Sequence, residues 1–281
     1  MDRFVRSWMI LALAALACGL GAPPQPATPS QPSPTQGAST EQAPAASPSS
    51  APTEAAGPAE AIWIQTPGNG SRLVGQVHIQ GEAEPTFEQT LVVQLVALDQ
   101  EPFLVLAQQA VIIGADAGMR GAFVADLAFD SGAASDRPGA VNVFSTSPRD
   151  GGITHLASIQ VTLAGGGSEA ILAGERGQER IAIHAPASAD RVTGGTVHLE
   201  GAAWASFEQT LLVEVIDVTG TVVGSSSAIV QAPDMGMPGL FAVDVAYSLT
   251  AGGPGRIVVR DVSAAFGQTL HQSTVDVDLG P

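Results

Sequence analysis

The sequence predicts an all-β protein in which two similar β-sandwich domains follow a signal peptide and a disordered stalk. From Ile62 onward, short apolar runs alternate with glycine, proline, asparagine and aspartate, a pattern typical of many short strands. No segment there keeps a helical period over three turns. The pentapeptide FEQTL occurs at 87–91 and again at 207–211, which indicates that one domain has been duplicated.

Composition limits the possible functions. The chain has 281 residues, enough for two ordinary domains, and a formal net charge of −16. Such an acidic balance argues against nucleic-acid binding, which depends on Lys and Arg neutralising phosphates. Cys18 is the single cysteine of the sequence, so an intramolecular disulfide and a thiolate metal cluster are both excluded.

The N-terminus, residues 1–18, has the layout of a bacterial secretory signal peptide. Arg3 and Arg6 precede an apolar run at 8–17 that is too short to span a bilayer comfortably. The ALAC sequence that ends at Cys18 resembles a lipobox, in which the cysteine is lipidated and becomes the first mature residue.

An ordinary signal peptide is the alternative, with cleavage near Ala22. Both readings predict that the mature protein is exported. The first adds a membrane anchor through lipidated Cys18, and the second predicts secretion.

Residues 19–60 predict a stalk. They consist mainly of Pro, Ala, Ser, Thr and Gln, with no large apolar residue after Leu20. Such a segment cannot bury enough surface to offset its conformational entropy, so we expect it to be disordered and to act as a spacer.

The remaining sequence reads as one pattern twice. We assign domain 1 to 61–164, a linker to 165–180 and domain 2 to 181–280, and the glycine run of the linker predicts some freedom between the domains. Matching stretches keep their order at an offset near 120 residues, as expected for a duplicated domain rather than a solenoid repeat. They are IWIQTP and IAIHAP, VHIQGEA and VHLEGAA, GMRGAFVADLAF and GMPGLFAVDVAY, and DGGITHLASIQVTL and FGQTLHQSTVDVDL.

Strand alternation suggests roles for the pentapeptide. If Phe87 and Phe207 point inward, they act as core plugs, and Leu91 shares their face. Glu88 and Glu208 then come directly after these phenylalanines, where the chain turns between strands and a carboxylate can accept hydrogen bonds from loop amides. The alternative is that each glutamate binds a cation or a partner.

These motifs resemble the immunoglobulin-like domain associated with bacterial spore germination proteins. The resemblance rests on the order I-x-I-x-x-P, V-x-(I/L)-x-G-x-A, F-E-x-T, G-x-x-G-x-F and a final V-x-V, and it covers 62–163 and 181–279. It implies two tandem immunoglobulin-like β-sandwich domains on an exported protein, a role in interaction at the envelope, and no catalytic site.

Residues that could carry chemistry are scattered. His78, His155, His184, His198 and His271 show no zinc-ligand spacing, and a histidine recurring on a strand is more often solvent-facing or hydrogen-bonded. We expect no metal and no cofactor. Calcium held by Asp116, or by Asp276 and Asp278, is the alternative for a metal.

We therefore expect a non-enzymatic envelope protein whose partner is an unidentified envelope protein or cell-wall polymer. Two alternatives stay open, an enzyme acting on wall glycan or peptide and a purely structural spacer. Trp204 stands where the first repeat has Glu84, which makes it a candidate contact residue or, equally, a packed side chain.

Overall fold

The computed structural model describes residues 58–204 and 207–281, without the side chain of Phe207. The predicted signal peptide, Cys18 and most of the predicted stalk lie outside these residues. The described part contains strands and two short 3₁₀ turns, and none of its helices is long and apolar enough to cross a membrane. The all-β prediction is confirmed.

Sixteen strands form the two domains. In the first half they are β1 (Ile62–Thr66), β2 (Arg72–Val74), β3 (Gln76–Ala83), β4 (Thr90–Ala97), β5 (Leu104–Ile112), β6 (Gly121–Ala128), β7 (Arg137–Thr146) and β8 (Ile153–Ala164). In the second half they are β9 (Ile181–Ala185), β10 (Arg191–Val192), β11 (Thr196–Trp204), β12 (Thr210–Ile216), β13 (Val222–Ile229), β14 (Pro238–Ala246), β15 (Gly253–Val262) and β16 (Thr269–Leu279).

Each half is a two-layer sandwich with antiparallel neighbours. In the first, the layer β5–β4–β7–β8 faces the layer β1–β3–β6, and the short β2 pairs with β3 and, in parallel, with β8. In the second, β13–β12–β15–β16 faces β14–β11–β9, with β10 parallel to β16. Each sandwich encloses its own apolar core. The predicted tandem immunoglobulin-like fold is confirmed.

A glycine–phenylalanine contact explains two of the recurring motifs at once. Gly81 on β3 lies opposite Phe123 on β6, and a Cβ on Gly81 would come within 2.3 Å of the ring. Gly201 and Phe241 make the same pair in the second domain, where the distance would be 2.5 Å. The glycine is therefore required because a fully buried aromatic ring occupies the space of its missing side chain.

The FEQTL pentapeptide forms a tight turn, and the prediction that Phe87 is a core plug is wrong. Strand β4 begins at Thr90, after a 3₁₀ turn in which Glu88 and Gln89 have φ of 53° and 54°, so strand alternation does not extend back to Phe87. Phe87 is 58% exposed. Gln89 is the buried residue, 7% exposed, and its amide donates to the carbonyls of Asp116 and Met119.

The second copy repeats this backbone. Glu208 and Gln209 have φ of 58° and 53°, and Thr210 donates its hydroxyl to the Glu208 carbonyl at 2.9 Å, as Thr90 does to the Glu88 carbonyl. The predicted burial of Phe207 concerns a side chain outside the described part. Among the described residues neither the Glu88 nor the Glu208 carboxylate accepts a hydrogen bond from a loop amide. Each glutamate instead accepts a hydrogen bond at its backbone carbonyl, from the hydroxyl of the threonine two residues later.

The two sandwiches are joined edge to edge. β8 and β16, the last strands of the two repeats, pair antiparallel over His155–Ala157 and His271–Ser273. The four-stranded layers therefore continue through the junction as part of one sheet. Because both strands hold the same position in their repeats, the pairing relates the domains by an approximate twofold arrangement.

The linker is fixed along the first domain, in contrast to the freedom that its glycines predict. Backbone bonds join Gly68 to Leu172, Arg72 to Ala170 and Gly174 to Gln65 at 2.7–3.0 Å. Gly174 runs so close to the carbonyl of Ile64 that a Cβ would lie 2.1 Å from its oxygen. These glycines let the linker pack flat against the domain.

The start of the folded region also differs from the predicted stalk boundary at residue 60. Glu179 donates its amide to the carbonyl of Pro58 at 2.9 Å, and Ala59 forms a bridge with Gln178. Glu60 is only 9% exposed. The last residues of the predicted stalk are therefore part of the structure, held by the linker.

The structure of the FEQTL turn predicts different effects on stability for substitutions of Gln89 and Phe87. Gln89→Ala should lower the free energy of unfolding of the full-length protein by about 1–2 kcal/mol, because buried hydrogen bonds to carbonyls are lost. Phe87→Ala should change it by less than about 0.5 kcal/mol, because the ring is exposed. Urea unfolding followed by circular dichroism measures both values, and the opposite ranking would contradict this account.

Candidate functional site

A cleft opens where β8 changes partners. Along one edge, β8 pairs with β16 at His155–Ala157. Further along the same edge, the loop before β2 takes over, and the Gly70 amide donates to the carbonyl of Gln160 at 2.9 Å. Between these two partners the edge is uncovered. The result is a cavity of about 720 Å³, within the range of ligand-binding sites.

Both domains and the linker contribute to the walls of this junction cleft. Trp204 at the end of β11 and Phe266 in the loop after β15 are its aromatic residues. The guanidinium of Arg180, from the end of the linker, lies 4.6 Å from the centroid of the Trp204 ring. Other lining residues include Asn69, Leu98, Gln160, Val161, Thr162 and Leu270.

Two charged side chains at the rim are already paired. Asp136 accepts hydrogen bonds from Arg72 at 2.9 and 3.0 Å, and Arg137 is bonded to Asp99. Their charges are therefore largely compensated before any ligand enters.

A second cavity of about 470 Å³ adjoins the first. Asn69, Ser158, Arg180 and His271 line both cavities, so these side chains form the partition between them. Ser158 is 5% exposed, and its hydroxyl has no hydrogen-bond partner among the described residues. A buried hydroxyl without a partner is costly, which makes Ser158 a group that a ligand could satisfy.

Below the partition lies a cluster of ionisable side chains. The Glu179 carboxylate accepts the amides of Ala61 at 2.7 Å and Ile181 at 3.4 Å, and lies 3.5 Å from His155. His271 lies 4.0 Å from Glu60. This cluster thus joins the N-terminal segment, the linker and both edge strands through polar contacts.

Burial controls the protonation of this cluster. It raises the pKa of Glu60 to about 7, against the opposing charge of Arg180. Burial also lowers the pKa of His271 to about 3, and the nearby Arg180 and His155 act in the same direction. The pKa of His155 is lowered by burial despite the carboxylate of Glu179. Both histidines are consequently neutral near pH 7.

The opposite side of the junction holds an ion-pair network. Arg256, which is 4% exposed, donates to Asp150 of the first domain at 3.1 Å and to Asp276 at 2.8 Å. Burial of Asp150 opposes ionisation, but hydrogen bonds from the Gly152 amide and Arg256 hold its pKa at about 2. Arg149 reaches Asp276 at 3.3 Å. These contacts cross the domain boundary and stabilise the β8–β16 pairing.

Among the described lipidation, plug and contact candidates named from the sequence, Trp204 lines the junction cleft. Phe87, Glu88 and Glu208 are absent from its walls, and they belong to the turns described above. Trp204 is the last residue of β11.

Two histidines at the junction, His155 and His271, were not predicted as site residues. His78 and His198 do face solvent, bonded to Asp126 and Asp244 at 2.7 and 2.6 Å. His155 and His271 are instead mostly covered at the junction. The sequence signal for them is that a histidine recurs on the last strand of each repeat. That signal indicates a shared site only when the two strands are known to pair.

The acidic residues considered for calcium are engaged elsewhere or isolated. Asp276 is paired with Arg149 and Arg256, and Asp278 lies 4.0 Å from Arg191. Over residues 58–204 and 207–281, no group of three or more His, Cys, Asp or Glu side chains is placed to hold a metal ion.

Comparison with protein families gives a match over both domains. A family model described as the immunoglobulin-like domain of bacterial spore germination matches residues 61–152 and 180–268. Immunoglobulin-like domains of this family are consistent with a non-catalytic binding or structural role.

Other comparisons add little. No curated protein matches the chain. Among solved structures, a transglutaminase from red sea bream aligns with 79% of this chain at 10% identity and a TM-score of 0.27. The chain covers 31% of that enzyme, and the similarity is too weak to indicate a shared fold or activity.

The cluster predicts a pH effect on stability. Between pH 4.5 and 7 the unfolded chain has released the Glu60 proton while the folded protein keeps it, so rising pH favours unfolding. The wild type should therefore lose up to about 3 kcal/mol relative to Glu60→Gln over this range. His271 acts in the opposite direction between pH 3 and 6.5, which is why the comparison with the variant is needed.

Urea unfolding of both proteins from pH 4 to 8 measures this difference. Glu88→Gln is the matched control, because it removes an exposed carboxylate that lies outside the buried cluster. Equal pH dependence in the two variants would show that Glu60 keeps no proton in the folded protein.

Proposed function

The chain belongs to the family of immunoglobulin-like domains of bacterial spore germination, and from this we propose that it is an exported, non-catalytic binding protein of the cell envelope. The partner is an envelope protein or a cell-wall polymer. The observation that carries the proposal is the junction cleft, because it combines partly exposed aromatic surface with the buried Ser158 hydroxyl, which has no hydrogen-bond partner among the described residues.

The rigid junction supports binding over a purely structural spacer. A spacer needs only length, and independent domains on a flexible linker would supply it. Here the strand pairing, the ion-pair network and the fixed linker hold two domains in one orientation around a single cleft. Such pre-organisation lowers the entropic cost of binding.

The architecture also weighs against the alternative of an envelope enzyme. Nucleophilic catalysis needs a nucleophile within hydrogen-bond reach of a general base. In the junction cleft the candidate nucleophile is Ser158, whose hydroxyl makes no hydrogen bond to a described residue, and His271 is held neutral but bonded to no hydroxyl.

Anchoring follows from the N-terminus in this proposal. Cys18 carries lipid, and residues 19–57 hold the two domains away from the membrane. Two acyl chains suffice for stable attachment where one would be marginal. The folded region, which begins by Pro58, is then presented at a distance set by the stalk.

The anchor is tested by Cys18→Ser in the native host. The wild-type protein should incorporate an alkyne-labelled fatty acid and sediment with membranes, whereas the variant should lose the label because it has no thiol to acylate. Labelling is read by gel fluorescence after click coupling. A mature N-terminus that follows Ala22, found by sequencing, would instead support the ordinary signal peptide.

Binding is tested with the full-length protein and envelope fractions of its host. We expect saturable capture by the wall or membrane fraction, competed by excess unlabelled protein, with no release of soluble sugar or peptide. Capture is quantified by sedimentation, and release by mass spectrometry of the supernatant. Absence of saturable capture would favour the spacer, and released fragments would favour the enzyme.

A further inference from the structure

The aromatic residues of the junction cleft occur where the second repeat departs from the first. Trp204 replaces Glu84, which in the first domain is paired with Arg120 at 2.8 Å. Phe266 replaces Asp150, which in the first domain bonds Arg256. The equivalent positions thus carry ion-paired carboxylates in the first copy and aromatic rings in the second, of which Phe266 is exposed and Trp204 is half-buried.

Both changes place a flat apolar group in the same cavity. Phe266 is 39% exposed, and Trp204 is partly covered on the side of Arg180. An aromatic ring can stack on the C–H face of a pyranose ring, which gains apolar contact without losing its hydroxyl hydrogen bonds. Phe266 and the part of Trp204 that Arg180 leaves uncovered offer such surface. Because the junction exists once, the chain has one such cleft rather than one per domain.

Inside the rim, besides Arg180, which lies against the Trp204 ring, and Asp261, which is 8% exposed, the remaining polar groups in the cleft are uncharged and suit a neutral ligand. Ser158 offers a buried hydroxyl that can both donate and accept, and the amides of Asn69 and Gln160 and the hydroxyl of Thr162 line the same wall. The rim charges on Asp136 and Arg137 are paired within the protein. A polyol can form hydrogen bonds with such groups, and its binding buries no charge of its own.

Two other ligand classes fit less well. An extended peptide would need a longer free edge on β8 than Ser158 and Ile159 provide, because the backbone amide of Gln160 donates to Oδ1 of Asn69 at 2.8 Å and the Gln160 carbonyl accepts from the Gly70 amide. An anionic wall polymer would approach a chain whose net charge is −16. We propose that the junction cleft binds a short stretch of uncharged glycan, stacked on Trp204 and Phe266 and hydrogen-bonded to Ser158. This inference rests on the proposed binding function and gives it a ligand class.

The test uses the full-length protein and a neutral oligomer of N-acetylglucosamine, titrated by calorimetry. The wild type should bind saturably. Trp204→Ala and Ser158→Ala should each weaken binding about tenfold or more, as expected for central contact residues. Trp204→Phe, which keeps a flat ring, should recover most of the affinity and guards against a variant that fails to fold.

Ile229→Ala is the matched control, because it removes an exposed apolar side chain that lines neither cavity. Its affinity for the oligomer should equal that of the wild type. A similar loss in Ile229→Ala and Trp204→Ala would show that the cleft is not the site.

The same variants, applied to envelope capture, separate the two proposals. If capture is saturable but is not competed by the neutral oligomer and survives Trp204→Ala, the glycan inference is overturned while the binding function stands. Capture that persists after enzymatic digestion of the glycan, and is lost on proteolysis, assigns a protein ligand and also overturns it. If no fraction captures the wild type, the binding function itself fails.

Discussion

The antiparallel pairing of β8 with β16 is the contact on which the other features of this protein depend. A strand at the edge of a sheet exposes unpaired backbone groups, and an uncovered edge invites aggregation. Here each domain covers part of the other's last strand. The same pairing brings His155 and His271 together, aligns Arg256 with Asp150, and leaves the gap that becomes the junction cleft.

Gene duplication supplied two equal sandwiches, but the junction made their equivalent positions unequal. Positions that are identical in both repeats, such as Gly81 with Phe123, maintain the core of each domain, because a buried ring needs the space beside the glycine. Positions near the contact were free to diverge, since each copy meets a different neighbour there. Trp204 and Phe266 are the result, and they line a surface that neither domain has alone.

The buried cluster beneath the cleft links segments that are remote in sequence. Glu60 precedes the first domain, Glu179 ends the linker, and each histidine belongs to a different domain. Burying ionisable groups is costly unless they are neutral or hydrogen-bonded, and both solutions are present. Glu60 and the histidines shift their pKa toward the neutral form, whereas Glu179 accepts two backbone amides.

The fold class and the duplication can be read from the sequence, because strand alternation and turn residues are local signals that recur in register. It also located Trp204 as a point of divergence. The role of Phe87 and Gln89 was decided by backbone conformation, since two consecutive residues with positive φ end the alternation on which sequence reasoning relied. The fixed linker, the buried histidines and the cleft were decided by tertiary structure alone. They arise from the pairing of two edge strands more than a hundred residues apart in the chain, and no local pattern specifies which exposed edges will meet.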